Sequence, residues 1–457
     1  ISRARAAHRI HRIRESFYLL CGYGEAGKVV TRFLSEVGER VVVVDRSENA
    51  INELKLSEMP FETEALIGDA SDPEQLQRAG LTHTLCKGVI AVVGDDEENL
   101  KIMISAKLLN PGLKAIGRVN EADTADNMRS FGTDHIINPF NTFAWHFSLA
   151  FSSPSLHLLN DWLSQTDYQT LNDPVFPPRG LWILCGFGRF GKALHRKLEE
   201  QGNTVIVIET LPEAADAPEG TVRGRGTEAV TLKQAEVERA VGIIAGTDND
   251  ANNLSIIMTA KALAADLFTV ARQNHNRNAP LFKAADVNIV VNQNLLIANQ
   301  IITLLTTPLT YQFLKQANKQ GVQWSNELVS RIGATVDERA PLIWVMDLTA
   351  QAAPAFFQAV RDRRELTLGQ LYREPHNRKV RLPAVPLMIA RAGDYILAPD
   401  DATTLQVGDR VLFCGPRAAR SKLFSTVTSN EIMIYLITGR HRIISPLWRY
   451  LAGGRNE

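Results

Sequence analysis

Three glycines at the G-x-G-x-x-G spacing occur twice, in Cys21-Gly22-Tyr23-Gly24-Glu25-Ala26-Gly27-Lys28 and in Cys185-Gly186-Phe187-Gly188-Arg189-Phe190-Gly191-Lys192. Glycines so spaced let a strand turn tightly into a helix and leave backbone N–H groups free to cradle a phosphate. Each copy is answered by an acid, Asp45 or Glu209, placed 18 residues beyond the last fingerprint glycine. A carboxylate at about that distance accepts paired ribose hydroxyls. The chemistry on offer is nucleotide binding.

The flanking residues predict the elements that would position these groups. Apolar runs at Phe17 to Leu20 and Leu181 to Leu184 precede the glycines, and Val41 to Val44 and Val205 to Ile208 lead into the acids. Runs of this kind are strands buried on both faces of a parallel sheet. Further on, the copies stay in register at an offset of 154, pairing Asp96, Asn99, Arg118, Ala144 and Pro154 with Asp250, Asn253, Arg272, Ala298 and Pro308. A whole domain is therefore repeated, and the rhythm of strands and helices predicts two Rossmann-like, doubly wound α/β lobes.

Each lobe ends in an apolar helix (Phe140, Phe143, Ala144, Phe147, Phe151; Leu295, Ala298, Ile301, Ile302, Leu305), a proline, and a second helical segment. Such an elbow either covers its own sheet or crosses to another lobe, and the proline stop favours crossing. From Gln323 to Ser429 short β-rich stretches and turn signals predict a separate, smaller α+β subdomain. The predicted order is a basic linker (1–14), a first lobe with its elbow (15–163), a linker (164–179), a second lobe with its elbow (180–320), the subdomain (323–429) and a tail (430–457).

Composition is that of a globular protein of about three domains, 45% apolar and 22% charged. Lys+Arg and Asp+Glu are both 50, so no global charge points to nucleic acid. The four cysteines form no C-x-x-C pair, which fits a reducing compartment. No apolar run approaches the length of a membrane-spanning helix. The chain opens on Ile1 rather than Met, so a preceding segment is expected. Arg3, Arg5, Arg9, Arg12 and Arg14, with His8 and His11, make one basic cluster, either a solvated arm or a connector near anionic headgroups. Arg440, His441, Arg442, Arg449 and Arg455 form a fainter one.

With these motifs the chain resembles the RCK/KTN family, the regulator-of-potassium-conductance domains of potassium channels and Trk/Ktr-type transporters. The resemblance also rests on Gly68-Asp69-Ala70 with Ala79-Gly80-Leu81, Thr247-Asp248-Asn249-Asp250 with Asn253-Leu254, Ala271-Arg272, and Leu405-Gln406-Val407-Gly408-Asp409-Arg410. It implies that lobe one holds phosphates on Gly22, Tyr23, Gly24 and Gly27, ribose at Asp45 with Arg46 beside it, and adenine near Asp69 and Ala70. In lobe two it implies Gly186, Phe187, Gly188, Arg189, Phe190 and Gly191, with ribose on Glu209. Arg118 and Arg272 are either further phosphate contacts or strand-end arginines. The implied ligand is NAD(H) or an adenine nucleotide, ATP or ADP. The implied partners are further copies of the chain, as dimer or tetrameric ring, and a membrane pore domain, on the cytoplasmic face of the inner membrane. Nucleotide binding would change the angle between lobes and so gate potassium transport.

Two departures predict unequal lobes. Glu25 stands where lobe two has Arg189, and its charge disfavours a polyphosphate; Arg225 stands where lobe one has Asp69. Other classes remain in view. A soluble Trk/Ktr-type subunit of a separate transporter is the near alternative. An NAD-dependent oxidoreductase needs a proton donor beside the nicotinamide, for which only Tyr311-x-x-x-Lys315 is available. The acidic runs Asp95 to Glu98 and Asp248 to Asp250 offer hard oxygen ligands for Ca²⁺, and equally read as helix starts whose acids complement the dipole.

Overall fold

A computed structural model describes residues 2–164, 176–335 and 341–440. The tail cluster from His441 onward and most of the 164–179 linker lie outside the described residues, as do the side chains of Arg3 and Arg5. The chain divides into two compact units, Ile1–Pro154 with Val175–Ile302, and Ser155–Pro174 with Thr303–Glu457.

The first unit contains both lobes. In lobe one the strands are β1 (Phe17–Cys21), β2 (Arg40–Asp45), β3 (Thr63–Ile67), β4 (Cys86–Ala91), β5 (Lys114–Arg118) and β6 (His135–Ile137). Between them run α2 (Glu25–Glu36), α3 (Glu48–Leu56), α4 (Pro73–Arg78), α5 (Asp96–Leu109) and α6 (Ala122–Ser130), after an opening α1 (Ser2–Ile10). The sheet is parallel in the order β3-β2-β1-β4-β5-β6, the doubly wound arrangement whose direction reverses between β1 and β4. Leu19, Leu20, Val42, Val43, Val89 and Ile90 are fully buried, as strands covered on both faces require.

Following α7 (Pro139–Ser152) and α8 (Pro154–Ser164), lobe two repeats the plan with β7 (Leu181–Cys185), β8 (Thr204–Glu209), β9 (Val222–Arg223), β10 (Gly242–Ala245), β11 (Phe268–Gln273) and β12 (Ile289–Asn292). Its helices are α9 (Arg189–Glu200), α10 (Ala229–Gln234), α11 (Asp250–Leu263), α12 (Ala279–Ala284) and α13 (Gln293–Thr306). The order β12-β11-β10-β7-β8-β9 is the same topology. The fold class expected from sequence is the one found.

Helix α7 crosses to lobe two. Phe140, Phe143, Phe147 and Phe151 share a core with Trp182, Leu184, Phe190 and Leu194. Phe147 stacks on Phe143 with ring centroids 5.7 Å apart and meets Trp182 edge-on at 5.8 Å. Its removal, Phe147→Ala, is expected to cost about 3–5 kcal/mol, the range for a buried aromatic. Chemical denaturation of this variant should show an earlier transition for the two-lobe unit.

The opening basic stretch is neither frayed nor free. Ala6, Ile10 and Ile13 bury in the core of lobe one, and Arg9 pairs with Glu64 at 3.0 Å. Gly80, at φ +92, permits this docking, since a Cβ there would meet the Phe17 ring at 2.8 Å and Ile10 at 3.2 Å.

The second unit contains α8, α14 (Pro308–Ala317), α15 (Val322–Gly333), β13 (Leu342–Asp347), α16 (Pro354–Arg361), α17 (Leu368–Leu371), β14 (Arg373–Glu374), β15 (Asn377–Arg381), β16 (Val385–Arg391), β17 (Asp394–Leu397), β18 (Arg410–Gly415), α18 (Arg417–Thr428) and α19 (Asn430–Thr438). Here an antiparallel sheet runs β13-β18-β16-β17. The second segment of the first elbow joins the second segment of the other, with Asn160 Nδ2 donating to Asn318 Oδ1 at 3.1 Å. The core of this unit runs on past the 429 boundary read from sequence, because Met433 of α19 packs with Phe356 and Leu423. Buried Asp409 accepts two bonds from Arg391, at 2.7 and 2.8 Å, which fixes the Val407-Gly408-Asp409 turn.

Candidate nucleotide sites

At the point where each sheet reverses, a cavity opens at the carboxyl ends of the strands. The lobe-two cavity is about 610 Å³ and the lobe-one cavity about 470 Å³. Such crevices are where doubly wound sheets bind ligands.

Each cavity is built by its fingerprint glycines acting in different ways. Gly22 and Gly186 take φ +100 and +95, which glycine alone adopts without strain. Gly27 and Gly191 let the helix sit on the strand, since a Cβ on either would fall 2.1 Å from the carbonyl oxygen of Gly22 or Gly186. Gly24 and Gly188 face open space and cap α2 and α9 without a side-chain bond, so the first N–H groups of each helix stay available.

The two acids organise the turns. Asp45 accepts from Tyr23 N at 2.6 Å and Ser47 N at 2.7 Å. Glu209 accepts from Phe187 N at 2.8 Å, from Thr210 N and Oγ1 at 2.8 and 2.9 Å, and from Leu211 N at 3.2 Å. Partial burial works to raise the Glu209 carboxyl, but the bonds from Phe187, Leu211 and Thr210 outweigh it and hold the group below the ordinary carboxylate range. An ionised acid is what a ribose diol needs.

Of the residues singled out from sequence, Gly22, Asp45, Arg46, Asp69 and Ala70 line the cavity of lobe one. Gly186, Gly188, Arg189, Glu209 and Arg272 line that of lobe two. Tyr23 and Phe187 are buried, and their backbone N–H groups serve the acids. Phe190 is a core residue between lobes, stacked on Phe143 at 5.8 Å. Glu25 is turned to the other lobe, where it accepts from Asn276 N at 3.2 Å. At the equivalent position Arg189 pairs with Glu121 of lobe one at 3.2 Å. The two fingerprints thus clasp each other's lobes through the same position with opposite charges.

Charge separates the cavities further. Lobe one presents Asp45, Asp69, Asp95 and Glu98 against Arg46, which is already bonded to Glu98 and 3.8 Å from Asp69. Lobe two presents Arg189, Arg225 and Arg272 against Glu209 and Asp248. Arg272 lies over the rings of Phe140 and Phe190, 5.3 and 5.9 Å from their centroids, and its Nε is buried without a partner, as is that of Arg118. Burial first, and the neighbouring positive charge of Arg189, weaken both guanidiniums' hold on their protons, opposed by Asp96 at Arg118 and by Asp248 at Arg272. Three arginines from two lobes therefore share one field, a device for attracting an anion.

Arg225 lines the cavity at the position sequence alignment of the two lobes gives it, opposite Asp69 of lobe one, while Thr227 and Asp248 line it without having been singled out for the nucleotide site. For Thr227 the signal was there, as Gly224-Arg225-Gly226-Thr227 repeats Gly68-Asp69-Ala70-Ser71. Three of the acids weighed for Ca²⁺ serve local structure. Asp95 caps Glu98 N at 3.0 Å, Asp96 accepts from Asn120 N at 2.7 Å and Glu121 N at 2.8 Å, and Asp250 accepts from Asn274 N at 2.6 Å. His195 packs on Phe187 at 5.4 Å and pairs with Glu199. Tyr311 and Lys315 stand on α14, in the other compact unit from both fingerprints. Burial pushes the Cys21 and Cys185 thiols up, so these strand-end cysteines stay protonated.

Among the described residues no helix is long and apolar enough to cross a membrane. Potassium channel protein 1 of Methanocaldococcus jannaschii is 32% identical over 123 residues, which is 27% of this chain and 36% of that protein. The chain thus matches about a third of that relative's length. The Trk system potassium uptake protein TrkA of Mycobacterium tuberculosis is 31% identical over 128 residues, 27% of this chain and 58% of that one. Among solved structures, the GsuK RCK domain superposes with a TM-score of 0.54 at 17% identity, covering 91% of this chain and 95% of the other. That likeness supports the fold. The TrkA-N domain family matches residues 18–139 and again 182–293, together just over half of the chain, so this protein belongs to the TrkA-N family of RCK/KTN domains.

Proposed function

We propose that this chain is a nucleotide-sensing regulatory module that controls potassium transport by coupling ligand binding to a rearrangement of its lobes. The observation that carries the reading is Phe140. It belongs to α7, the helix that ties lobe one to lobe two, and it also forms a wall of the lobe-two cavity, under the Arg272 guanidinium. A nucleotide seated on Gly186, Gly188 and Glu209 would touch the joint itself. Coupling requires that it bind two lobe arrangements with different affinity, typically by about 1–3 kcal/mol. Arg189 supplies a means, since a phosphate drawn to it competes with Glu121 for the same charge.

The relatives support the setting. They include channel proteins and Trk uptake proteins, and related GsuK structures are described as bound to ADP and to NAD. In this reading the ligand is NAD(H), ATP or ADP, copies of the chain assemble as a dimer or ring, and the module acts on a pore at the cytoplasmic face of the inner membrane. A soluble subunit of a separate transporter is the alternative, supported by the TrkA homolog 2 of Methanosarcina mazei, 22% identical over 374 residues and 63% of this chain.

Calorimetric titration with NAD⁺, NADH, ATP, ADP and AMP tests the reading, repeated on Asp45→Ala and Glu209→Ala. The expected result is binding lost from one lobe in each variant, with NADH not turned over. Absence of binding to every nucleotide would end it.

A further inference from the structure

The base-reading ends of the two cavities carry opposite charge at one structural position. In lobe one, Gly68 N donates to the carbonyl oxygen of Asp45 at 3.0 Å, and in lobe two Gly224 N donates to that of Glu209 at 3.1 Å. The next residue is Asp69 in the first case and Arg225 in the second, and each lines its cavity. This position lies two strands from the fingerprint, about 10 Å at ordinary strand spacing. That is the reach from a phosphate on the glycines, past a ribose on the acid, to a base.

Asp69 is a pure acceptor there. Ser71 N and Oγ each donate to its Oδ1 at 2.8 Å, leaving the other oxygen to take the 6-amino group of an adenine. Arg225 offers only donors. Among the described residues its exposed side chain has no hydrogen bond or ion pair, so it is available. A guanidinium pairs in bidentate fashion with O6 and N7 of guanine, whereas against adenine it sets donor facing donor at the 6-position. A 2′-phosphate would be the other natural target for an arginine near a ribose, but here it would press against the Glu209 carboxylate.

We propose that lobe two selects a 6-oxopurine nucleotide, guanine or hypoxanthine, through Arg225. The proposal rests on the nucleotide-sensor reading above. It is tested by titrating the whole chain with GDP, IDP and ADP, and repeating this with Arg225→Ala, Arg225→Asp and Glu209→Ala. At the site that Glu209→Ala removes, GDP should bind roughly tenfold more tightly than ADP, a difference of about 1.4 kcal/mol. IDP, which keeps O6 and N7, should match GDP. Arg225→Ala should bring GDP and ADP level, and Arg225→Asp should turn the preference toward ADP, with unfolding temperature unchanged because the side chain is exposed. An equal or greater affinity for ADP at that site, or a GDP preference indifferent to Arg225, overturns the proposal and leaves the sensor reading standing. If no nucleotide binds a site sensitive to Glu209→Ala, the sensor reading of lobe two falls and takes the proposal with it.

Discussion

Gly191→Val is expected to unfold lobe two, while Gly188→Val leaves the fold intact and removes ligand binding. The two glycines are three residues apart in one fingerprint, yet they face different constraints. A Cβ on Gly191 would stand 2.1 Å from the Gly186 carbonyl oxygen and 3.2 Å from its carbon. Neither atom can retreat, for Gly186 is held at φ +95 and its N–H is bonded to the Ile208 carbonyl at 2.9 Å. Helix α9 would have to lift from the sheet, exposing Leu194 and Leu198, both buried in the shared core with α7. Overpacking against fixed backbone belongs to the short list of severe lesions, and a loss of more than about 3 kcal/mol is expected.

Gly188, in contrast, takes φ −72, which any residue adopts, and a Cβ there meets nothing within 4 Å. Its side chain would occupy the mouth of the cavity where a phosphate approaches the helix N-terminus. Denaturant midpoints and nucleotide titration on the same two variants separate these effects. A stable Gly191→Val protein, or a Gly188→Val protein with full affinity, would contradict the assignment.

Much of this architecture was legible because it is local. Strands buried on both faces must be apolar throughout, so Val41 to Val44 and Leu181 to Leu184 announced themselves, and the acid-to-glycine spacing followed from one strand-helix-strand unit. The proline at Pro154 pointed to an elbow because it cannot continue α7. What was not legible depends on which residues meet across lobes. Glu25 reads as a repellent for phosphate when seen in its own fingerprint, but folding brings it to Asn276 N of the other lobe. Phe190 sits in a phosphate-binding motif and is held by Phe140 and Phe143 of α7. The basic arm reads as a solvated stretch by charge count, while the helical spacing of Ala6, Ile10 and Ile13 puts an apolar stripe beneath the charges. Spacing within a segment reports its period, and contacts between segments far apart in sequence leave no such trace.

The arginine cluster is where that missing information matters most, and Arg272→Met is the variant that reads it. Arg272 has a buried Nε with no partner, and burial weakens its hold on its proton while Asp248 and Asp250 oppose the positive neighbours Arg189 and Arg118. Methionine keeps the unbranched stem against the Phe140 and Phe190 rings and makes sulfur–aromatic contacts in place of the cation–π ones. Stability should therefore change little, since the lost cation–π attraction and pairing with the acids are offset by no longer burying a guanidinium among other arginines. Ligand binding should behave differently. A charge-assisted bond to phosphate contributes about 1.5–3 kcal/mol, so the affinity of lobe two for a nucleoside diphosphate is expected to fall roughly ten- to hundredfold. The dependence on salt should flatten at the same time, because one cation fewer contributes to the field. Arg118→Met tests the longer-range part of that field. Arg118 comes from β5 of lobe one and affects the lobe-two cavity through its charge, so it should weaken binding by less than Arg272→Met does. Equal effects from the two would mean that Arg118 reaches the phosphate directly and that lobe one completes the site. A large loss of stability in Arg272→Met, with affinity unchanged, would mean that the arginine holds α7 in place rather than the ligand.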